Sequence, residues 1–131
     1  MGLSSFSAVR VIDASAEGLN LPIVEGKGSA RAVLWSENGA RFRSMHLLDL
    51  CGGDKTVVLS HASDCVYYVT AGSGHIVGEG KGPRLPLIEG AMTHIDAGDR
   101  YRIEADESGL HLLGGPCPPD AADYATLREN G

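Results

Sequence analysis

A histidine and a tyrosine have the residue types and spacing that could move a proton. His61 alternates with Val57 and Leu59 along a candidate strand, so these three side chains are expected on one face. An imidazole there could act as a general base or a ligand, because histidine titrates near neutral pH. Tyr101 shares a face with Ile103, and a phenol beside an imidazole can form an acid–base pair. The alternative interpretation is a buried structural histidine and a core tyrosine bonded to backbone.

Other side chains are expected to point to the same interior as His61 and Tyr101, and together they predict a cavity. Cys65 alternates with Tyr67 on the next candidate strand. A thiol beside a histidine could be a nucleophile, although a small buried apolar residue is the more common role for such a cysteine. The predicted ligand-binding cavity is lined by Leu59, His61, Cys65, Tyr67 and Tyr101. A mostly apolar lining with a few polar groups suits a small organic molecule.

Two further histidines could rearrange this site. His46 alternates with Ser44 and Leu48 and could reach the cavity, and His94 is in phase with Met92. If either imidazole faces His61, the cluster would suit a divalent zinc, iron, manganese or nickel ion, with Cys65 as a further donor. A surface or structural role is the alternative for each of these histidines. The residues alone therefore assign no metal ligand and no cofactor.

Short strands are the elements that would carry these residues. Eighteen glycines in 131 residues separate short apolar runs, which is typical of tight turns in an all-β fold. The glycine- and proline-rich segment 78–86 is predicted as a loop. Candidate strands near the chemistry are 42–50, 56–61, 65–70, 75–77, 92–95, 100–105 and 110–113.

The tail of the chain changes character after these strands. Residues 120–129 predict a short helix, with Asp120 as its cap and Tyr124 packed against the strands. The length suits one domain over residues 1–131, and the strand count favours a jelly-roll β-barrel. An immunoglobulin-like sandwich is the alternative, but Trp35 precedes every cysteine, which breaks the usual frame of that fold.

The spacing of the glycines carries a family resemblance. Gly53 is followed by five residues, Leu59-Ser60-His61, three residues, Cys65, six residues and Gly72. Gly90 is followed by five residues, Asp96-Ala97-Gly98, two residues and Tyr101. Over about residues 42–115 this resembles the two sequence motifs of the cupin superfamily, in a small single-domain form. The resemblance implies a cupin-type jelly-roll β-barrel with a short C-terminal helix.

The same resemblance implies a degenerate metal site. Cupins usually hold a metal with three His and one Glu, and the matching positions here are Leu59, His61, Cys65 and Tyr101. One of the four keeps its usual residue type. Asp64 is an alternative to Cys65 for the position of the Glu.

Three functions follow as hypotheses. Cupin-type sugar-nucleotide epimerases work without metal through a His base and a Tyr acid, so the first is a proton-transfer enzyme of isomerase, cyclase or lyase type. His61 and Tyr101 would be its catalytic residues. The second is a metal-dependent oxygenase or isomerase with shifted ligands, His46, His61 and His94. The third is a non-catalytic ligand-binding module.

The amino-acid composition limits the kinds of partner that the protein is expected to bind. A formal net charge of -6 argues against nucleic acid, because an acidic surface repels phosphates. No apolar stretch is long enough to cross a bilayer. Three cysteines of unpatterned spacing suggest reduced thiols and a cytoplasmic location. The family resemblance further implies a homodimer, whose interface the strands before Gly39 could supply. Strand alternation predicts an outward-facing Tyr68, which could lie in a dimer interface because tyrosine is favoured there.

Overall fold

Nine strands build the part of the chain that the computed structural model describes, which is residues 9, 11–80 and 82–124. In chain order they are Leu19–Asn20 (β1), Val24–Glu25 (β2), Ser29–Leu34 (β3), Met45–Leu50 (β4), Lys55–Thr56 (β5), Cys65–Gly78 (β6), Arg84–Ile88 (β7), Met92–Ile95 (β8) and Tyr101–Pro116 (β9). A one-turn helix, Ala14–Glu17 (α1), precedes them, and 3-10 turns lie at Ser36–Asn38 and Ala121–Tyr124. None of the described helices could cross a membrane.

The two long strands β6 and β9 form the spine of one curled antiparallel sheet. Their pairing runs from Cys65 opposite Pro116 to Gly78 opposite Tyr101. β4 and β3 extend the sheet beyond β9, while β7 and β8 pair with the two halves of β6. The prediction of an all-β, cupin-type jelly-roll fold is confirmed.

Each spine strand joins two segments that the sequence predicts as separate strands. The pairing of β6 with β9 shifts register on either side of Gly72, where the sheet bends. Gly72 has a φ of +81°, and a Cβ there would lie 2.1 Å from the carbonyl oxygen of Gly109. A glycine is therefore required at this bend, both for its dihedral and for the close approach of the two backbones.

The core follows the period-two alternation of the spine strands. On β6 the buried side chains include Cys65, Tyr67 and Val69, and on β9 they include Tyr101 and Ile103. Their neighbours Val66 and Tyr68 are partly exposed on the outer face. Tyr68 thus faces outward as predicted, while the homodimer itself stays a prediction.

Two elements differ from the sequence predictions. Segment 78–86 was predicted as a loop, but β7 begins at Arg84 and includes Pro86. Proline is tolerated there because β7 pairs only with β6 among the described strands and is an edge strand. The predicted helix over 120–129 is a 3-10 turn at Ala121–Tyr124 where the structure describes it, and residues 125–129 lie outside the described residues.

Candidate active site

A chain of hydrogen bonds joins four buried or half-buried side chains inside the barrel. His61 Nδ1 lies 3.0 Å from Asp123 Oδ1, and His61 Nε2 lies 2.7 Å from the Tyr101 hydroxyl. The Tyr101 hydroxyl lies 2.7 Å from the Tyr67 hydroxyl. Cys65 Sγ lies 3.8 Å from the same Tyr101 oxygen. The structure thus brings together four of the side chains predicted from the sequence and adds Asp123.

Local backbone pairing places His61 beside Tyr101. Leu59 forms an isolated antiparallel bridge with Tyr101, through hydrogen bonds of 2.7 and 2.9 Å. His61 follows two residues later on the same side, and its carbonyl accepts from the amide of Gly98 at 2.8 Å. Leu59 itself is half-buried and packs against the core. The alternation that predicts an inward His61 is therefore realised on a loop rather than in a regular strand.

Asp123 reaches the site because the tail folds back over the barrel mouth. The amide of Ala62 donates to Asp120 Oδ2 at 2.7 Å, and the amide of Cys117 donates to the carbonyl of Asp64 at 2.9 Å. Ser63 Oγ donates to the carbonyl of Pro118 at 2.5 Å. These bonds fix the turn Ala121–Tyr124, which we call the closing turn, above His61.

The closing turn also covers His46. Tyr124 is fully buried, and its hydroxyl lies 2.7 Å from His46 Nε2. Its ring packs on Trp35 with centroids 4.5 Å apart. His46 faces inward from β4, so the structure places it in the interior next to this tyrosine.

Little space remains beneath the closing turn. The interior cavity has a volume of about 30 Å³, and its lining includes His46, Leu59, His61, Tyr67 and Asp123. Asp123 Oδ2 is buried and has no hydrogen-bond partner among the described residues. Space of this size holds about one water molecule and no organic ligand.

The two interior histidines are driven to opposite charge states. Burial lowers the pKa of His61, but hydrogen bonds and charge at Asp123, with a contribution from Cys65, outweigh it and raise that pKa to about 9. Burial lowers the pKa of His46 to about 4, and the nearby His61 lowers it further. At neutral pH, His61 is therefore an imidazolium paired with Asp123, and His46 is a neutral imidazole. Environments that separate two pKa values in this way are typical of acid–base sites.

The tyrosines stay protonated beside this ion pair. Burial raises the pKa of Tyr67 and of Tyr101 above the usual range. Both ring nitrogens of the His61 imidazolium are donors, so the Tyr101 oxygen accepts a hydrogen bond from Nε2. The hydroxyl proton of Tyr101 is then available for donation to another group. The arrangement can therefore deliver a proton through Tyr101 and replace it from His61.

His94 does not join this group. It lies on the outer face of β8, where Met92 and His94 are exposed while Ile95 faces inward. Its Nε2 lies 3.1 Å from Asp96 Oδ1 and 3.9 Å from Asp64 Oδ2. His94 therefore does not reach the interior cavity beside His61, because the alternate residues of β8 face inward, and it lines a separate cavity on the side of the barrel instead.

Sequence reasoning missed Asp123. Its only signal was its neighbour Tyr124, which was expected to pack against the barrel. A buried tyrosine in a tail brings its neighbours to the same surface, but nothing in the sequence showed which of the three acidic residues after Pro119 would meet His61.

Solved structures resemble this arrangement of strands. No protein-family model matches the chain, and no curated protein matches it by sequence. A predicted oxalate decarboxylase from Thermotoga maritima matches with a TM-score of 0.66 at 18% identity, over 82% of this chain and 98% of its own. An RmlC-like cupin from Shewanella frigidimarina matches with a TM-score of 0.65 at 14% identity, over 85% and 93%. The chain has the cupin fold. The polyketide cyclase RemF from Streptomyces resistomycificus also matches, with a TM-score of 0.68 at 16% identity, over 86% of this chain and 83% of its own.

The metal that cupins usually carry does not fit the residues present here. Leu59 has no donor atom, and His61 Nε2 and the Tyr101 oxygen bond each other at 2.7 Å. His46 Nε2 is likewise bonded to Tyr124. Three donor atoms do lie close together at His61, Asp120 and Asp123. His61 Nδ1 already bonds Asp123 Oδ1 and Asp120 Oδ2 accepts from Ala62, while Asp123 Oδ2 has no hydrogen-bond partner among the described residues. Binding a metal would have to break these bonds.

The opposed histidines predict a maximum of stability near pH 6.5, their ordinary pKa. The pKa of His61 is raised, so its pairing stabilises the folded state fully below 6.5 and is lost as the pH rises towards about 9. The pKa of His46 is lowered, so keeping it neutral costs stability as the pH falls from 6.5 towards about 4. Urea unfolding across about pH 4–9.5, which spans both pKa values, should show both losses. His61→Gln should reduce the loss of stability at alkaline pH, and His46→Gln should reduce the loss at acid pH. Parallel plots of unfolding free energy against pH for the wild type and both variants would contradict this account.

Proposed function

We propose that this protein is a small-molecule enzyme of isomerase, cyclase or lyase type that works by proton transfer. The hydrogen-bonded chain Asp123–His61–Tyr101–Tyr67 carries the proposal. Two of the structural neighbours are named for reactions of small molecules, a decarboxylase and a cyclase, which supports the same class.

The roles follow from the charge states. Tyr101 donates its proton to a substrate oxygen, and His61 Nε2–H replaces it, leaving a neutral imidazole. Asp123 holds the other ring nitrogen and favours the protonated form of His61. The carbon-bound proton of the substrate passes to water. In the return step the carbon takes a proton from water, and the enol oxygen gives its proton back to the Tyr101–His61 pair, which restores the carbonyl form. The reaction needs no redox partner.

The metal-dependent hypothesis receives less support. His94 lies outside the barrel, and the donor atoms of His46 and His61 are bonded to tyrosine hydroxyls. A non-catalytic ligand-binding module is the remaining alternative, and an experiment on proton exchange separates it from an enzyme.

Hydrogen–deuterium exchange at carbon is the test. Wild-type protein in D2O should accelerate exchange in at least one of three probes, 2-tetralone, pyruvate and dihydroxyacetone phosphate, followed by proton NMR. His61→Gln and Tyr101→Phe should each reduce the accelerated rate about 100-fold. Both variants must show a wild-type circular dichroism spectrum. No acceleration for any probe, or full rates in both variants, would contradict the proposal, and binding without exchange would favour the ligand-binding module.

A further inference from the structure

A second, larger cavity opens on the side of the barrel. It has a volume of about 540 Å³, in the range of sites for small organic ligands. Its apolar walls include Ile76 from β6, Leu85 from β7 and Ile95 from β8. We call this cavity the side cleft.

The loop that edges the side cleft is held open by glycine. A Cβ on Gly82 would lie 2.5 Å from Gly78 Cα, and one on Gly78 would lie 2.8 Å from Gly82 Cα. The backbones at Gly78 and Gly82 are therefore in contact, and there is no room for a side chain at either position. Gly98 forms part of the opposite edge, and nothing lies within 4 Å of the position of its Cβ. The side cleft lies between these two loops, and the glycines at its edges place no side chain in it.

The side cleft reaches the proton-transfer chain at Tyr101. Of the four residues in that chain, only Tyr101 belongs to the wall of the cleft as the structure describes it. The route from the barrel mouth is covered by the closing turn, and the interior cavity of about 30 Å³ is too small for a substrate. The side cleft is therefore a cavity of ligand size that borders this chain. Tyr101 is only 2% exposed, so a substrate in the cleft must displace part of this wall to reach the hydroxyl.

The charges around the side cleft restrict its ligand. Besides Tyr101, the titratable residues that the structure describes in its lining are the exposed carboxylates of Glu79 and Asp99, the guanidinium of Arg100 and the imidazole of His94. The imidazole of His94 is already bonded to Asp96. Phosphate or carboxylate groups would meet repulsion there as well as an overall charge of -6. The walls are apolar, and the tyrosine hydroxyl of the chain acts on an oxygen acceptor.

We propose that the side cleft is the substrate site and that its ligand is an uncharged compound bearing a carbonyl group. This inference rests on the proposed function, since it assigns the substrate of that same chain. An uncharged ligand would distinguish this protein from the cupin-type sugar-nucleotide epimerases, because a nucleotide sugar is strongly anionic.

Binding of 2-tetralone, an uncharged bicyclic ketone, tests the site directly. In nitrogen-15 NMR spectra it should shift amides that line the side cleft, at 76–80 and 93–101. Leu85→Trp fills the cleft and should weaken binding and exchange at least about tenfold. Ile88→Trp is the matched control, because Leu85 and Ile88 are both exposed on β7 and only Leu85 lines the cleft.

The outcomes separate this inference from the proposed function. Exchange of pyruvate or dihydroxyacetone phosphate but not of 2-tetralone would overturn the substrate class and leave the function standing. A separate groove on the barrel is lined by residues that include Phe42 and Met45. The site would be overturned if 2-tetralone shifted only the amides of that groove or did not bind at all. Equal effects of the two tryptophan variants would overturn it as well. Binding of 2-tetralone in the cleft without exchange would support the site and count against the enzyme.

Discussion

Replacing Asp123 with asparagine should lower the pKa of His61 from about 9 to its ordinary 6.5 or below. Burial already lowers this pKa, and the carboxylate of Asp123 is the main group that outweighs the burial. The variant would therefore be neutral at His61 at pH 7.5, and the accelerated proton exchange should fall about 100-fold. An NMR titration of the imidazole resonances measures the first effect, and the D2O exchange assay measures the second.

Asp120→Asn is the matched control for this experiment. Asp120 lies on the same tail segment and accepts backbone amide hydrogens from Ala62 and Ala122. An asparagine has one oxygen in place of these two acceptors, so it keeps one of the two bonds and loses the other. The carboxylate of Asp123 is unchanged, so the pKa of His61 should stay near 9 and exchange should continue. An equal fall in pKa in both variants would show that the fold of the tail, and not the Asp123 charge, sets the state of His61.

Replacing Tyr124 with alanine should give the largest loss of stability, about 3–5 kcal/mol in the free energy of unfolding. The ring of Tyr124 is fully buried against Trp35, and its removal leaves a cavity at the barrel mouth. Urea unfolding monitored by tryptophan fluorescence and circular dichroism measures the change.

Tyr124→Phe separates the ring from the hydroxyl. It keeps the packing on Trp35 and removes only the hydrogen bond to His46, so it should cost about 1 kcal/mol. Equal losses in the two variants would assign the stabilisation to the hydroxyl and contradict the packing role of the closing turn.

The sequence predicted the parts of this site that depend on strand phase. Alternation along 65–69 and 101–103 is enough to place Cys65, Tyr67 and Tyr101 inside, because a strand has only two faces and one of them must be buried. Glycine spacing predicted the cupin fold through turns that only glycine tolerates, such as the bend at Gly72.

The parts that failed depend on contacts between distant segments. β8 offers Met92 and His94 on one face and Thr93 and Ile95 on the other, and polarity alone does not decide which pair is buried. Asp123 lies 62 residues from His61, on a tail whose path is fixed by hydrogen bonds to backbone groups. Backbone acceptors and donors are present at every position, so the sequence carries no mark of such a docking site.

The return of the tail over the mouth has a consequence for folding kinetics. His46 and His61 acquire their shifted pKa values only once segments 78 and 62 residues away in sequence have docked on them. Closing loops of this length costs entropy and slows folding, for the tail as for the pairing of β4 with β9. Stopped-flow refolding followed by the protonation of these imidazoles would report when the tail docks, separately from the formation of the sheet.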